Sequence, residues 1–393
     1  MTRITRVFTD KYLKILVNQR YLRSPKTNFM KKLFTAICVL LAVNAFAQER
    51  TSQTVFERLI WDDQKLNIML DTRNDFQTDF QNGDLANMSF QAQTIKLWVV
   101  GEIIPGVRYR LRHRLNKPQN PLPREGYSSA TDQMWIALDA GKNKNWTFTV
   151  GKQSVQFGTF EYDYNPADIY VGTMCFNDLD AYKVGINTAY RFSDHHTLNF
   201  QVINSDATQF ASDKYAKKAL AGLLLWEGSL FDGFLGTRWG YGIFQHNSDR
   251  CFSWLTLGTQ LNFGKFTTEL DYYYGERYMD YGDVVNDDNL GLRNVLDQSI
   301  SVNFKYDFGK IKPFIKGIWN QRHDKVFDNN PYENFGIQAV VEYYPFTNQY
   351  IKDLRFHAMY AYNTTNFQGI FSNLSNQDDQ TILVGMRWLF KAK

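Results

Sequence analysis

From residue 64 onward the apolar side chains recur at every second position, and that period decides what the chain can become. A period of two belongs to a strand with unlike faces, and no long segment carries the 3.6 period of a helix. Leu66, Ile68 and Leu70 open the series. Val107, Tyr109 and Leu111 follow, then Met134, Ile136 and Leu138, and Trp146, Phe148 and Val150. The pattern runs on to Ile382, Val384, Met386, Trp388 and Phe390. Connections alternate between short and long. Short ones are expected at 101–106, 141–145, 193–195, 231–233, 264–265, 309–310 and 345–352. Long ones are expected near 75–87, 117–130, 157–180, 205–218, 247–251, 279–294, 324–331 and 364–378.

Sixteen strands, seven short turns and eight long loops describe an all-β transmembrane antiparallel barrel of the outer-membrane type, whose strands need roughly 9–11 residues to cross. A soluble β-sandwich also alternates. It does not, however, place Tyr, Trp and Phe at strand ends, where membrane interfaces collect aromatic girdles. The 31 Phe, 23 Tyr and 9 Trp exclude a disordered chain, which is poor in aromatics. A helical membrane protein needs repeated apolar runs of about 20 residues, and only one stretch near the N-terminus approaches that.

That stretch is Met30–Ala47, MKKLFTAICVLLAVNAFA. Lys31 and Lys32, an apolar centre and Ala45-Phe46-Ala47 form the three parts of a secretory signal peptide. Residues 1–29 precede it and read as an over-extended start, leaving 48–393 as the barrel. The formal charge of the whole chain is +4. Residues 1–47 hold nine Lys and Arg against Asp10 alone, so the mature chain is net acidic, near −4. The basic balance therefore implies no nucleic-acid partner. Cys175 and Cys251 remain and are read as two lone thiols.

A sixteen-stranded barrel leaves an aqueous channel, so function rests on the inward faces. In Val107–Leu115, VRYRLRHRL, Arg108, Arg110, Arg112 and Arg114 share one face of one strand. Facing lipid would cost about 2–4 kcal/mol for each arginine at mid-membrane, so the row must face water, where such ladders favour anions. Arg73, Lys183, Arg238, Lys305, Lys312, Lys316, Arg355 and Arg387 have the same inward parity. Glu269 with Asp271, and Glu342 with Asp307, oppose them. A mixed, weakly selective channel therefore stands beside an anion-preferring one.

The loop 157–180, FGTFEYDYNPADIYVGTMCFNDLD, is long, and its aromatics argue against disorder. Folded into the lumen it would be a constriction, with Phe160, Glu161, Tyr162, Asp163, Tyr164, Asn165 and Asp168 near the narrowest point. The other reading is an ordered surface cap.

Gly151–Gly158 (GKQSVQFG), Glu161–Pro166 (EYDYNP) and the upstream RYRLRHRLN resemble the phosphate-selective porin family, the O and P porins, in its Bacteroidetes-type members. The resemblance implies a sixteen-stranded, homotrimeric, passive-diffusion porin in the outer membrane of a Gram-negative bacterium. Its partners would be small hydrophilic solutes, anions by preference, and outer-membrane lipid. The family's usual Pro before Phe-Gly is Gln156 here.

No G-x-S-x-G, Walker, H-E-x-x-H or C-x-x-C motif occurs, so no enzyme, metal or cofactor is expected. Asp283, Asp287 and Asp288, and the pair Asp378-Asp379, read as solvated loop carboxylates. A hydrolase on a barrel would need a nucleophile beside a histidine, and His357 has no partner legible in sequence. A long-chain hydrophobic transporter would need an N-terminal plug, for which about 17 mature residues before the first strand are too few.

Overall fold

The computed structural model describes residues 65–122, 124–205, 210–212, 215–281, 291–348 and 351–391. The expected signal peptide, the segment before it and Asp283, Asp287 and Asp288 lie outside them. Sixteen antiparallel strands close into one barrel, each hydrogen-bonded to its neighbours in sequence. They are β1 (Asn67–Gln81), β2 (Asp84–Ile104), β3 (Val107–Arg114), β4 (Thr131–Ala140), β5 (Trp146–Ser154), β6 (Tyr182–Ser193), β7 (His196–Asn204) and β8 (Leu220–Leu230). The second half comprises β9 (Leu235–Gln245), β10 (Cys251–Phe263), β11 (Phe266–Asp280), β12 (Leu292–Tyr306), β13 (Ile311–Asp324), β14 (Asn329–Tyr343), β15 (Arg355–Phe367) and β16 (Gln377–Lys391). The seam pairs β1 with β16, with Arg73 opposite Arg387. No sheet edge is left along the seam, as a structure crossing lipid requires.

Three connections are shorter than their polar composition suggests. The loop expected at 75–87 is a hairpin turned at Asn82-Gly83, both with positive φ (51° and 89°), the dipeptide a two-residue turn favours. The loop at 324–331 shrinks to the four residues between Asp324 and Asn329, and that at 364–378 to the nine between Phe367 and Gln377. Outside the bilayer a strand can be polar on both faces. Polarity alone therefore does not mark where a ladder stops.

The faces are inverted relative to a soluble protein. Ile136, Val150, Phe200 and Ile337 lie exposed on the outside, whereas Asp71, Lys96, Asp297 and Glu161 are buried inside. The loop between β5 and β6 carries two short helices, α1 (Phe160–Asp163) and α2 (Met174–Asp178), and a 3-10 turn at Pro166–Asp168. Its Val155, Phe157, Met174, Cys175 and Leu179 pack with inward Ile203, Leu223, Phe244, Phe252, Trp254 and Tyr273 in one apolar cluster. Burying each large side chain there stabilises the docked loop by about 1.5–3 kcal/mol. Cys175 and Cys251 are free thiols, the first buried and the second exposed.

Candidate functional site

The β5–β6 loop enters the lumen over the wall of β9–β13. Gly158 N–H donates to Thr256 Oγ1 at 2.7 Å, and the Thr159 hydroxyl meets that of Tyr273 at 2.8 Å. A helix start leaves N–H groups without partners. Here the wall supplies one: Phe160 and Glu161 N–H donate to the two oxygens of Asp271 at 2.8 and 2.9 Å. The backbone comes so close that a Cβ at Gly258 would lie 2.8 Å from Thr159 Cα. Glu161 is buried and fully engaged. It takes Lys316 Nζ at 2.5 Å, Thr173 N–H at 3.0 Å, the Thr173 hydroxyl at 2.7 Å and the Tyr273 hydroxyl at 2.9 Å.

The loop then crosses. Asp163 pairs with Arg238 at 3.3 Å, and the Tyr164 hydroxyl donates to Glu269 and lies 2.6 Å from Lys305 Nζ. Asn165 reaches the seam side, donating to Asp71 at 2.7 Å and accepting from Lys96 Nζ at 3.3 Å. Arg73 donates to the carbonyls of Ala167 and Ile169 and stacks over Tyr170, 4.2 Å from its centroid. Asp168 is shared by Arg355 at 2.6 Å and Arg387 at 2.5 Å. Burial pushes the Asp168 carboxyl up, but Arg387 and Arg355 outweigh it and hold the pKa down at about 2.

On the return, the Tyr170 hydroxyl donates to Glu342 at 3.0 Å. Asp178 meets Arg277 and Arg322, which both also bond Asp297. The loop is thus anchored to β9–β13 on one side and to β14, β15, β16, β1 and β2 on the other.

The arginine row sits on the wall between those anchor points. β2 and β3 pair Lys96 with Arg114, Trp98 with Arg112, Val100 with Arg110 and Glu102 with Arg108. Lys96 bonds the loop inside the lumen, so all four arginines share that inward face. Arg108 pairs with Asp139 at 2.6 Å, and Arg112 and Arg114 share Asp132 at 3.2 and 2.9 Å. Arg110 lies 5.6 Å from the Trp98 ring and 5.2 Å from that of Trp135, with Gln133 at 3.4 Å. Arg112 also stacks on Trp98 and Tyr182. Arg108, Arg112 and Arg114 therefore share two carboxylates. Rings hold the guanidiniums apart where like charges would otherwise repel.

Of the residues singled out in sequence, Arg238, Lys305, Arg355 and Arg387 all contact the loop. Phe160, Glu161, Tyr162, Asp163, Tyr164, Asn165 and Asp168 lie on its inward course. Tyr162 packs in the apolar cluster, tilted against Phe157 and edge-on to Phe176. Sequence reasoning missed Lys96, Asp71, Asp75, Asp132 and Asp139. Lys96 was legible, since Thr94, Lys96 and Trp98 alternate with Ile95, Leu97 and Val99. Asp132 was not, because it is the extra residue of a bulge opposite Arg112 and His113. His357 has a partner after all: Asp75 at 2.8 Å, with neither side chain reaching solvent. Asp307 lies past the end of β12 and pairs with Lys312 at 3.0 Å. Among the described residues no group of three His, Cys, Asp or Glu could hold a metal ion.

A search of curated proteins found no match. The barrel is similar to OmpT, an outer membrane protein of Vibrio cholerae, in its trimer form: 12% identity over 83% of this chain and 100% of that one, TM-score 0.56. It is also similar to the outer membrane channel DcaP of Acinetobacter baumannii: 10% identity over 83% and 97%, TM-score 0.57. At such identities the likeness is one of fold. The sequence itself matches the family described as phosphate-selective porin O and P across residues 66–281, more than half of the chain. The chain belongs to that family and is an outer-membrane porin of a Gram-negative bacterium, a closed sixteen-stranded channel.

Proposed function

We propose that this porin passes small hydrophilic solutes by passive diffusion along the wall of β3–β6, beside the crossing loop, and favours inorganic anions such as phosphate. The observation that carries the reading is the row of Arg108, Arg110, Arg112 and Arg114 on that wall, three of which share just two carboxylates, Asp132 and Asp139, among the described ion pairs. The other basic residues there, Lys152 with Glu125 and Lys183 with Asp180, come as pairs. In this reading Phe160–Asp168 form the constriction and narrow the path from the opposite side.

A weakly selective channel is the second reading, and one observation favours it. Across the lumen Arg238 and Lys305 contact Glu227, Asp163 and Glu269, with Asp271 beside them, an acidic surplus that offsets the arginine row. Reversal potentials in a planar bilayer under a salt gradient separate the two. Anion selectivity supports the first reading; cation selectivity overturns it.

The working unit in this proposal is a homotrimer, and residues 30–47 direct export. Transport is non-enzymatic, since His357 is enclosed against Asp75 and so withheld from any substrate in the channel.

A further inference from the structure

One ion pair on the β3–β6 wall is unlike the others. β5 begins with odd-numbered residues facing the lumen, since the Thr147 hydroxyl donates to Asp139, the partner of Arg108. It ends with even-numbered ones. Ser154 accepts from Gln133, which in turn accepts from Arg110, and Tyr182, opposite Ser154, lies 4.7 Å from the Arg112 guanidinium. Gly151 stands where the rows change over, at a φ of 127° that only glycine adopts without strain. Lys152, two residues from Ser154, is thereby turned inward, onto the wall that carries the arginine row.

Its partner arrives from another element. The β3–β4 loop makes a tight turn, with Leu122 N–H bonded to Tyr127 O at 2.7 Å and Gly126 N–H to Leu122 O at 2.9 Å. Arg124 fastens that turn to the carbonyls of Ala216 and Ala219. Beside it, Glu125 points its carboxylate at the wall. One oxygen accepts from Val184 N–H at 2.9 Å. The other lies 3.6 Å from Lys152 Nζ, beyond hydrogen-bond reach, and has no hydrogen-bond partner among the described residues. The Glu125 and Lys152 side chains are only 1% and 3% exposed. Asp132 and Asp139, by contrast, meet their arginines at 2.6 to 3.2 Å. The Glu125 carboxylate is withdrawn from water yet poorly matched to its donors.

We infer that Lys152 Nζ and Val184 N–H form an oxyanion site, and that Glu125 is a tethered competitor that fills it until a permeating oxyanion takes its place. The inference rests on the solute path along β3–β6 proposed above. The fastened loop limits where the Glu125 carboxylate can reach, so it does not close on both donors together. A free tetrahedral oxyanion has no tether. It takes the Val184 N–H on one oxygen and approaches Lys152 to about 2.8 Å with another. The exchange needs only the Glu125 side chain to turn away, and it conserves the charge of the site, one anion leaving as another enters. Glu125 thereby sets the concentration at which phosphate occupies the wall, without touching the arginine row.

Two variants separate occupancy of the site from the mere charge of the loop. Glu125→Gln removes the charge and keeps an acceptor for Val184. Glu125→Asp keeps the charge and shortens the arm by one methylene, and it carries the test should the neutral variant not fold. In a planar bilayer, inorganic phosphate is titrated against the chloride current and the half-blocking concentration is read; heat-modifiable gel mobility reports folding. A competitor that holds the site for all but roughly a tenth of the time weakens the apparent affinity about tenfold. Both variants should therefore lower the half-blocking concentration about tenfold, and adding Lys152→Gln to either should abolish the gain. A gain confined to one folded variant overturns the inference, as loop charge acting at a distance would give for Glu125→Gln. A gain that survives Lys152→Gln, or no gain at all, overturns it too. Wild-type reversal potentials in the same membranes keep the two proposals apart. Anion selectivity without the gains overturns the tethered competitor alone; cation selectivity with the gains intact overturns the anion preference alone.

Discussion

Replacing Asp168 by Asn removes the carboxylate that two guanidiniums share at the far end of the crossing loop. Arg355 keeps Glu342 at 3.3 Å and Arg387 keeps Asp71 at 2.9 Å. Neither is stranded, so the ~3–5 kcal/mol cost of an uncompensated buried charge is an upper limit. The carboxyl is held from 3.8 down to about 2, worth about 2 kcal/mol for the docked loop. With 29% of that side chain exposed, solvent screening argues for no more. A loss of about 2 kcal/mol raises the undocked fraction of the loop roughly thirtyfold. In single-channel recordings Asp168→Asn should therefore show excursions to higher conductance about thirty times as often as the wild type. The depressed pKa fixes the sign of the pH dependence. The tether is fully present above pH 3.8 and is lost as pH falls through about 2. Wild-type channels should stay quiet down to pH 4 and turn noisy near pH 2, while the variant is noisy throughout. Identical noise in both proteins, or a wild-type transition at pH 5–6, would refute the bridge.

Two further substitutions probe what holds the barrel and the loop. A side chain at Gly385 would start 2.2 Å from Asp75 Oδ1 and 2.7 Å from His357 Nε2. Gly385→Val should split that pair across the seam and cost about 1–3 kcal/mol, seen as a lower transition temperature in heat-modifiable mobility; an unchanged temperature would contradict the packing. Glu161→Gln leaves the buried Lys316 ammonium without a counter-charge, facing only neutral acceptors, the new amide oxygen and the Val171 carbonyl at 3.0 Å. It should lower the unfolding midpoint by the equivalent of about 3–5 kcal/mol, with Lys316→Met restoring much of the loss; no recovery would mean that the pair is not the cause.

The alternation of Leu66 to Phe390 made the barrel legible, because a water-filled cylinder in lipid obliges every strand to keep two unlike faces. The arginine row was legible for the same reason, four residues at even spacing on one strand. Its partners were not. Asp132 turns inward through a bulge, Asp139 belongs to the next strand, and Asp75 and His357 meet 282 residues apart. Consequently the row looked more basic in sequence than it is in place. The first hairpin was misread although Asn82-Gly83 is a turn signature, because its flanking glutamines and asparagines suggested a loop. The crossing of the β5–β6 loop depends on contacts spread over β7–β16, β1 and β2, a distribution that no local spacing encodes.

The proposed anion preference turns on the residual charge of that row. The most direct measurement is the chloride-to-potassium permeability ratio of the wild type beside the double variant Arg110→Gln/Arg112→Gln, from reversal potentials in the same salt gradient. The account predicts a wild-type ratio above one that falls toward or below one in the variant. A wild-type ratio at or below one, or a ratio that the double variant leaves unchanged, would contradict it.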